Sequence, residues 1–140
     1  MAATPWIQQH PPQAPGVVAL LPRTHDKTLP VRAFFQVGNR ILCEVEDDHV
    51  SRALCTHFGK ASLTASFGPR RAVRICRPSA TRACPLAEVP AAFQPPNVLH
   101  AGQSAIVGRF RCRAGAGAVR CTLASGRGFT LGSRGARRLG

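Results

Sequence analysis

The sequence predicts a small, mainly β domain, an antiparallel set of strands and hairpins stapled by disulfides, and three observations predict it. Short apolar runs alternate with polar residues at period two, the mark of half-buried strands. Gly, Asn and Asp clusters punctuate those runs at short intervals. Six cysteines are spread along the chain with no C-x-x-C pair among them. The interior available to such a domain is thin: the 140 residues include seven Phe, one Trp, no Tyr and one Met. Alanine carries much of the apolar count and contributes little transfer energy, so the core needs covalent help.

Residues 1–32 contain Pro5, Pro11, Pro12, Pro15, Pro22 and Pro30. Prolines at that density exclude helix and central strand alike, and an extended, mobile segment is expected, with Val17 to Leu21 available as an edge strand. The β domain is expected over residues 33–132. In "RILCEVE", Ile41, Cys43 and Val45 share one face, with Leu42, Glu44 and Glu46 on the other. In "RAVRIC", Val73 and Ile75 lie opposite Arg74 and Cys76. "SAIVGRFRC" reads as one strand with Ile106, Phe110 and Cys112 on one side and Val107, Arg109 and Arg111 on the other. "AVRCTLA" returns with Val119, Cys121 and Leu123 opposite Arg120 and Thr122. Turns are expected at Gly38-Asn39, Asp47-Asp48, Gly68-Pro69, Gly115 to Gly117 and Gly126 to Gly128. "ACPLAEVPAAFQPPNVL" is a proline-broken connector with room for a single helical turn. Residues 133–140 are a basic tail expected to fray.

Cys43, Cys55, Cys76, Cys84, Cys112 and Cys121 form an even set. Zinc ribbons draw two ligands from one knuckle two to four residues apart, and no such knuckle is present. Disulfides fit better, because Cys112 and Cys121 lie on the apolar side of neighbouring strands and facing cysteines across a hairpin can meet bridge geometry. Composition alone leaves the connectivity open. Local pairing (Cys43–Cys55, Cys76–Cys84, Cys112–Cys121) is favoured because each pair brackets one turn. Disulfides imply an oxidising compartment, hence a secreted or cell-surface protein. The nearest approach to a signal-peptide core, Gly16 to Pro22, is short, holds two breakers and lacks a basic flank. No stretch approaches the roughly 18 to 20 apolar residues of a membrane-spanning helix.

The charge is lopsided, 19 Lys+Arg against six Asp+Glu, a net +13. Arg109, Arg111, Arg113 and Arg120 form a basic stripe on one hairpin, joined by Arg134, Arg137 and Arg138. These seven are candidates for binding polyanions such as acidic cell-envelope polymers. Specific nucleic-acid recognition is not expected, since no RNP, KH or zinc-finger pattern is present and Phe110 faces inward rather than offering a stacking platform. An alternative site lies in "EVEDDHVSRALCTHFG". Glu44, Glu46, Asp47, Asp48, His49, Cys55 and His57 could on paper build a small hydrolase or a metal centre. Four acids in five residues between strands read more simply as a solvated turn, and a paired Cys55 is no nucleophile. With no H-E-x-x-H, G-x-S-x-G or phosphate-cradling loop, no catalytic residue, metal ligand or cofactor is expected. The chain reads as a non-enzymatic binding or structural domain.

Residues 98–135, "VLHAGQSAIVGRFRCRAGAGAVRCTLASGRGFTLGSRG", resemble the end of an uncharacterised family of small secreted actinobacterial proteins. The resemblance rests on Gly102, Gly108, Phe110, Cys112, Val119, Cys121, Gly126, Gly128, Phe129 and Leu131. An opening signature of that family is echoed by "FFQVGNRILC" through Phe35, Gly38, Asn39, Ile41 and Cys43. Arg127 stands where the family usually has His, and Leu123 where Asn is common. The resemblance implies a disulfide-stapled, exported β domain and supplies no activity.

Overall fold

The computed structural model describes residues 26–78 and 83–140. The expectations for residues 1–25, including the edge strand at Val17 to Leu21, lie outside the described residues. Of the mobile segment expected to residue 32, Asp26–Thr28 instead form a strand paired with residues 104–106, and Leu29 is buried in the core. Twelve strands are found among the described residues: β1 (Asp26–Thr28), β2 (Arg32–Val37), β3 (Ile41–Asp47), β4 (Ser51–His57), β5 (Leu63–Gly68), β6 (Arg71–Cys76), β7 (Asn97–Leu99), β8 (Ser104–Val107), β9 (Phe110–Gly115), β10 (Ala118–Thr122), β11 (Gly128–Gly132) and β12 (Gly135–Leu139). They form two six-stranded sheets, ordered β1-β8-β9-β10-β11-β12 and β6-β5-β4-β3-β2-β7. The mainly β, disulfide-stapled architecture is therefore as the sequence predicts. Pairing is antiparallel except where β1 runs parallel to β8 and β7 parallel to β2, so both sheets are mixed.

The period-two runs put their apolar residues between the sheets. Phe35, Ile41, Val45 and Phe67 from one sheet meet Val107, Phe110, Val119, Phe129 and Leu131 from the other in a single buried cluster. Phe67 is its pivot, making edge-to-face contacts with Phe110 at 5.4 Å and Phe129 at 5.6 Å between ring centres. Much of the remaining core is alanine: Ala33, Ala53, Ala65, Ala105 and Ala114 are buried. Small side chains leave volume that sulfur fills.

All three disulfides follow the local pairing. Cys43 faces Cys55 directly across β3 and β4, and Cys112 faces Cys121 across β9 and β10. All four are buried, and Cys55 Sγ lies 3.8 Å from Cys121 Sγ, so the two bridges touch across the sandwich. Neither sulfur carries a proton, and the approach is van der Waals packing. Cys76–Cys84 does something different. It fastens the chain after β6 over the outer face of β2 to β5, where the Ala87 N–H donates to Thr56 Oγ1 at 2.9 Å and Phe93 packs on Phe34 at 4.7 Å. That cover buries Leu54 completely on the side away from the main core. The single helical turn expected in this connector is a 3-10 turn at Ala91–Phe93.

Three further readings are corrected. "SAIVGRFRC" is two strands, with Val107 paired to Phe110 across a two-residue turn. Val107 and Phe110 therefore both face inward. Gly108 makes the turn, with φ +56°, and a Cβ there would also run into the Asp47 side chain, 2.6 Å from its Cβ. Residues 133–140 are not a fraying tail, because β12 pairs with β11 over five residues and Ala136 packs against the core. Glu44, Glu46 and Asp47 are not a solvated turn either; they occupy β3, and only Asp48 to Val50 bend.

Arg127, between β10 and β11, reaches across to the turn joining β5 and β6. Its guanidinium donates to the carbonyls of Gly68 (2.6 Å), Pro69 (3.0 Å) and Arg71 (3.0 Å) and lies over the Phe67 ring. A planar fork with several donors suits three carbonyls at once, and an ammonium does not. Arg127→Ala is expected to cost about 2 kcal/mol, within the range for hydrogen bonds from charged groups. Arg127→Lys should recover less than half of that, as read by urea unfolding.

Candidate polyanion-binding site

The seven candidate arginines divide by what each side chain meets. Arg109 sits in the β8–β9 turn and is engaged by Asp47. Its backbone N–H donates to Asp47 Oδ2 at 2.6 Å and its Nη2 to Asp47 Oδ1 at 2.7 Å. Ser51 completes the network, donating to Asp47 Oδ1 at 2.7 Å while accepting from Arg109 Nη2 at 2.9 Å. Asp47 belongs to one sheet and Arg109 to the other, so this pair joins the two at the same end of the sandwich as Arg127. Arg138 likewise donates from Nε to the Val73 carbonyl at 3.2 Å, tying β12 to β6. Arg111 pairs with Asp26 at 3.1 Å, both half exposed, an arrangement that contributes little in water.

Arg113, Arg120 and Arg137 remain. Strand register places them in one row. Arg113 faces Arg120 across β9 and β10, Arg120 faces Thr130 on β11, and Thr130 faces Arg137 on β12. All three are exposed on the outer face, along a line of roughly 14 Å at the usual spacing of about 4.8 Å per strand. Arg134 lies apart, in the β11–β12 turn. The row was only partly legible in the sequence. Alternation shows which arginines of one hairpin point outward, but register with β12 depends on a strand that basic composition disguised.

No acid neutralises the row. The chain's six acidic residues are Asp26, Glu44, Glu46, Asp47, Asp48 and Glu88. Four of them pair with Arg111, Arg52, Arg32 and Arg109, Asp48 accepts from the Val50 N–H in its own bend at 3.4 Å, and Glu88 lies on the cover over the opposite sheet. Like charges facing one another across strands, as Arg113 and Arg120 do, repel. The repulsion makes the row a place where a bound anion is favoured.

The alternative constellation around Asp47 to His57 is not assembled. His49 lies in the bend before β4 and His57 at its far end, and a seven-residue strand separates them by about 20 Å. Cys55 is in a disulfide. Cys43, Cys55 and Cys121 bring their sulfurs within 4.8 Å of one another, but bridged sulfurs are not thiolates, the form that binds metal. A concavity of about 700 Å³ is lined by Ile41, Leu42, Phe58, Val89, Pro95 and neighbours, with Arg40 its one ionisable lining group. Comparison with protein-family models, curated proteins and solved structures gives no match.

Two carboxyls are perturbed in opposite directions. Hydrogen bonds from the Arg109 guanidinium, helped by its backbone N–H and by Ser51, hold Asp47 well below the usual carboxylate range. Burial pushes Glu44 up, against the pull of the Glu88 N–H and Arg52. A lowered folded value means that Asp47 contributes fully above the ordinary aspartate value, about 3.9, and progressively less as pH falls below it. Glu44, with its raised value, opposes folding less as pH falls toward the ordinary glutamate value. Stability should therefore hold, or rise slightly, from neutrality down to about pH 4.5 and then drop. Asp47→Asn should lower the urea midpoint at pH 7 and flatten that acid limb, so that the difference between variant and parent shrinks steadily as pH falls below about 3.9.

Proposed function

We propose that this protein is an exported, non-enzymatic binding domain that holds an acidic polymer along the outer arginine row of Arg113, Arg120 and Arg137. The single observation that carries the reading is this row of three cations, spanning four strands and balanced by none of the chain's six acids. Export is supported by three disulfides, which persist in oxidising compartments, and by the resemblance of residues 98–135 to small secreted actinobacterial proteins. A binding rather than catalytic role is supported by the separation of His49 from His57 and by the commitment of Cys55 and Asp47 to structural partners.

The row favours an extended polyanion over base recognition. Phe110, Phe67 and Phe129 are each at most 1% exposed, and Phe93 packs on Phe34 beneath Arg32, so these aromatics do not form a stacking surface beside the arginine row. Attraction to a flexible phosphate or sulfate chain needs only charge at suitable spacing. Acidic polymers of the cell envelope meet that description and share the compartment.

Affinity for heparin and for a polyglycerol phosphate should fall steeply with salt. Replacing Arg113, Arg120 and Arg137 together with Gln should reduce the slope of log K against log salt by about two, taking the single-strand coefficient per neutralised charge. Replacing Arg32 and Arg52, equally cationic but paired with acids, should change it by less than half as much. Equal losses per charge removed from the two sets would show that only net charge matters and would remove the row as a site.

A further inference from the structure

The end of the sandwich opposite Asp47 and Arg127 holds a second cationic feature, concave where the outer row is flat. Three turns meet there: β2–β3 with Arg40, β4–β5 with Gly59, Lys60 and Ala61, and β11–β12 with Ser133 and Arg134. Together with His57 and Arg77 they line a cleft of about 450 Å³ between the two sheets. Its lining contains four Arg or Lys side chains and one His and no acid. The chain's acids are all placed elsewhere, four in ion pairs and the other two in the β3–β4 bend and on the cover of the outer face.

The cleft has local architecture beyond its charge. Phe58 N–H donates to the Arg40 carbonyl at 2.7 Å, and the Arg40 guanidinium returns a long contact of 3.4 Å to the Phe58 carbonyl. This reciprocal link fixes the β2–β3 turn against the β4–β5 turn. Gly59 then marks where the side chains converge. A Cβ at that position would lie 3.7 Å from Arg40 Nη1 and 4.0 Å from His57 Cε1. The absent side chain leaves open the space onto which a guanidinium and an imidazole face.

We infer that this cleft is a binding site for a phosphate group, with Arg40 and His57 on one wall, Arg134 on the other, and Lys60 and Arg77 at its margins. A tetrahedral dianion offers oxygens in several directions, which suits donors arriving from two sheets; a planar carboxylate would engage one fork and leave the others without a partner. The volume exceeds what a bare phosphate fills, a water molecule's share being about 30 Å³. The phosphate therefore arrives with a substituent, either as a small free anion such as pyrophosphate or as the end of a phosphate polymer. The cleft stands independently of the outer row, since none of Arg113, Arg120 or Arg137 lines it.

The test is titration of the oxidised full-length protein with inorganic pyrophosphate, for the free anion, and with a short-chain polyphosphate, for a polymer end, read by amide chemical shifts. Shift changes should concentrate at residues 57–61 and 133–135. Arg40→Ala and Arg134→Ala should each weaken binding about tenfold, as expected for the loss of a charge-assisted hydrogen bond. Gly59→Leu, which keeps every charge and fills the floor, should weaken it at least as much. Arg113, Arg120 and Arg137 changed together to Gln should leave pyrophosphate affinity within about twofold. Tighter binding of one ligand identifies the natural source as free anion or chain end, and either result upholds the site. Shift changes spread over the outer face, or Gly59→Leu binding like the parent while unfolding at the parent midpoint, would overturn the inference.

Discussion

Two disulfides in contact at the centre of the molecule set the terms for everything around them. Cys43–Cys55 and Cys112–Cys121 each link directly opposed residues of neighbouring strands, and Cys55 and Cys121 touch at 3.8 Å between the sheets. The alanines beside them remove little apolar surface from water, so the sulfurs supply both volume and chain restraint. In the chain-entropy account, each loop of about ten residues closed by a bridge stabilises by roughly 2.5 kcal/mol. Against the 5 to 15 kcal/mol that small domains typically retain, roughly, two or three such restraints are a large share. The third bridge, Cys76–Cys84, spends its restraint on the outer cover rather than on the core.

A thin interior also explains how the arginines are distributed. Cross-sheet contacts that a larger core would make with apolar side chains are made here by guanidinium groups. Arg127 holds three carbonyls of the β5–β6 turn, Arg109 holds Asp47, and Arg138 holds Val73. Each places a charged fork at the rim, and Arg127 also lies over the Phe67 ring of the core. The high arginine content is therefore not one signal. Part of it closes the sandwich, part pairs with acids as Arg32, Arg52 and Arg111 do, and the arginines of the outer row and the end cleft have no counter-charge within the chain.

The residues that made the sequence legible were those with strict alternation. Ile41, Cys43 and Val45, and likewise Val119 and Cys121, face inward as their period requires, and the cysteine pairs are the local ones favoured because each brackets one turn. Gly108 was harder to read. An apolar run continuing through a glycine looks like one strand until the turn it makes is seen, and that turn moves Val107 to the inner face. The strand at Gly135–Leu139 was hidden for another reason: with Arg137 and Arg138 in a five-residue segment, composition suggests solvation, while pairing with β11 and a carbonyl on β6 decides its place. Of the candidate site, the outward arginines of one hairpin could be read from alternation. The cleft could not, because it is assembled by three turns distant in sequence.

The dependence of the fold on its sulfurs is tested most directly by comparing the oxidised protein with its fully reduced form under otherwise identical, non-denaturing conditions, using amide chemical-shift dispersion and urea unfolding. A sandwich held by touching bridges should lose dispersion and cooperative unfolding once reduced. A reduced protein that kept its dispersed spectrum and the oxidised midpoint would show that the alanine-rich core suffices alone, and would contradict the account.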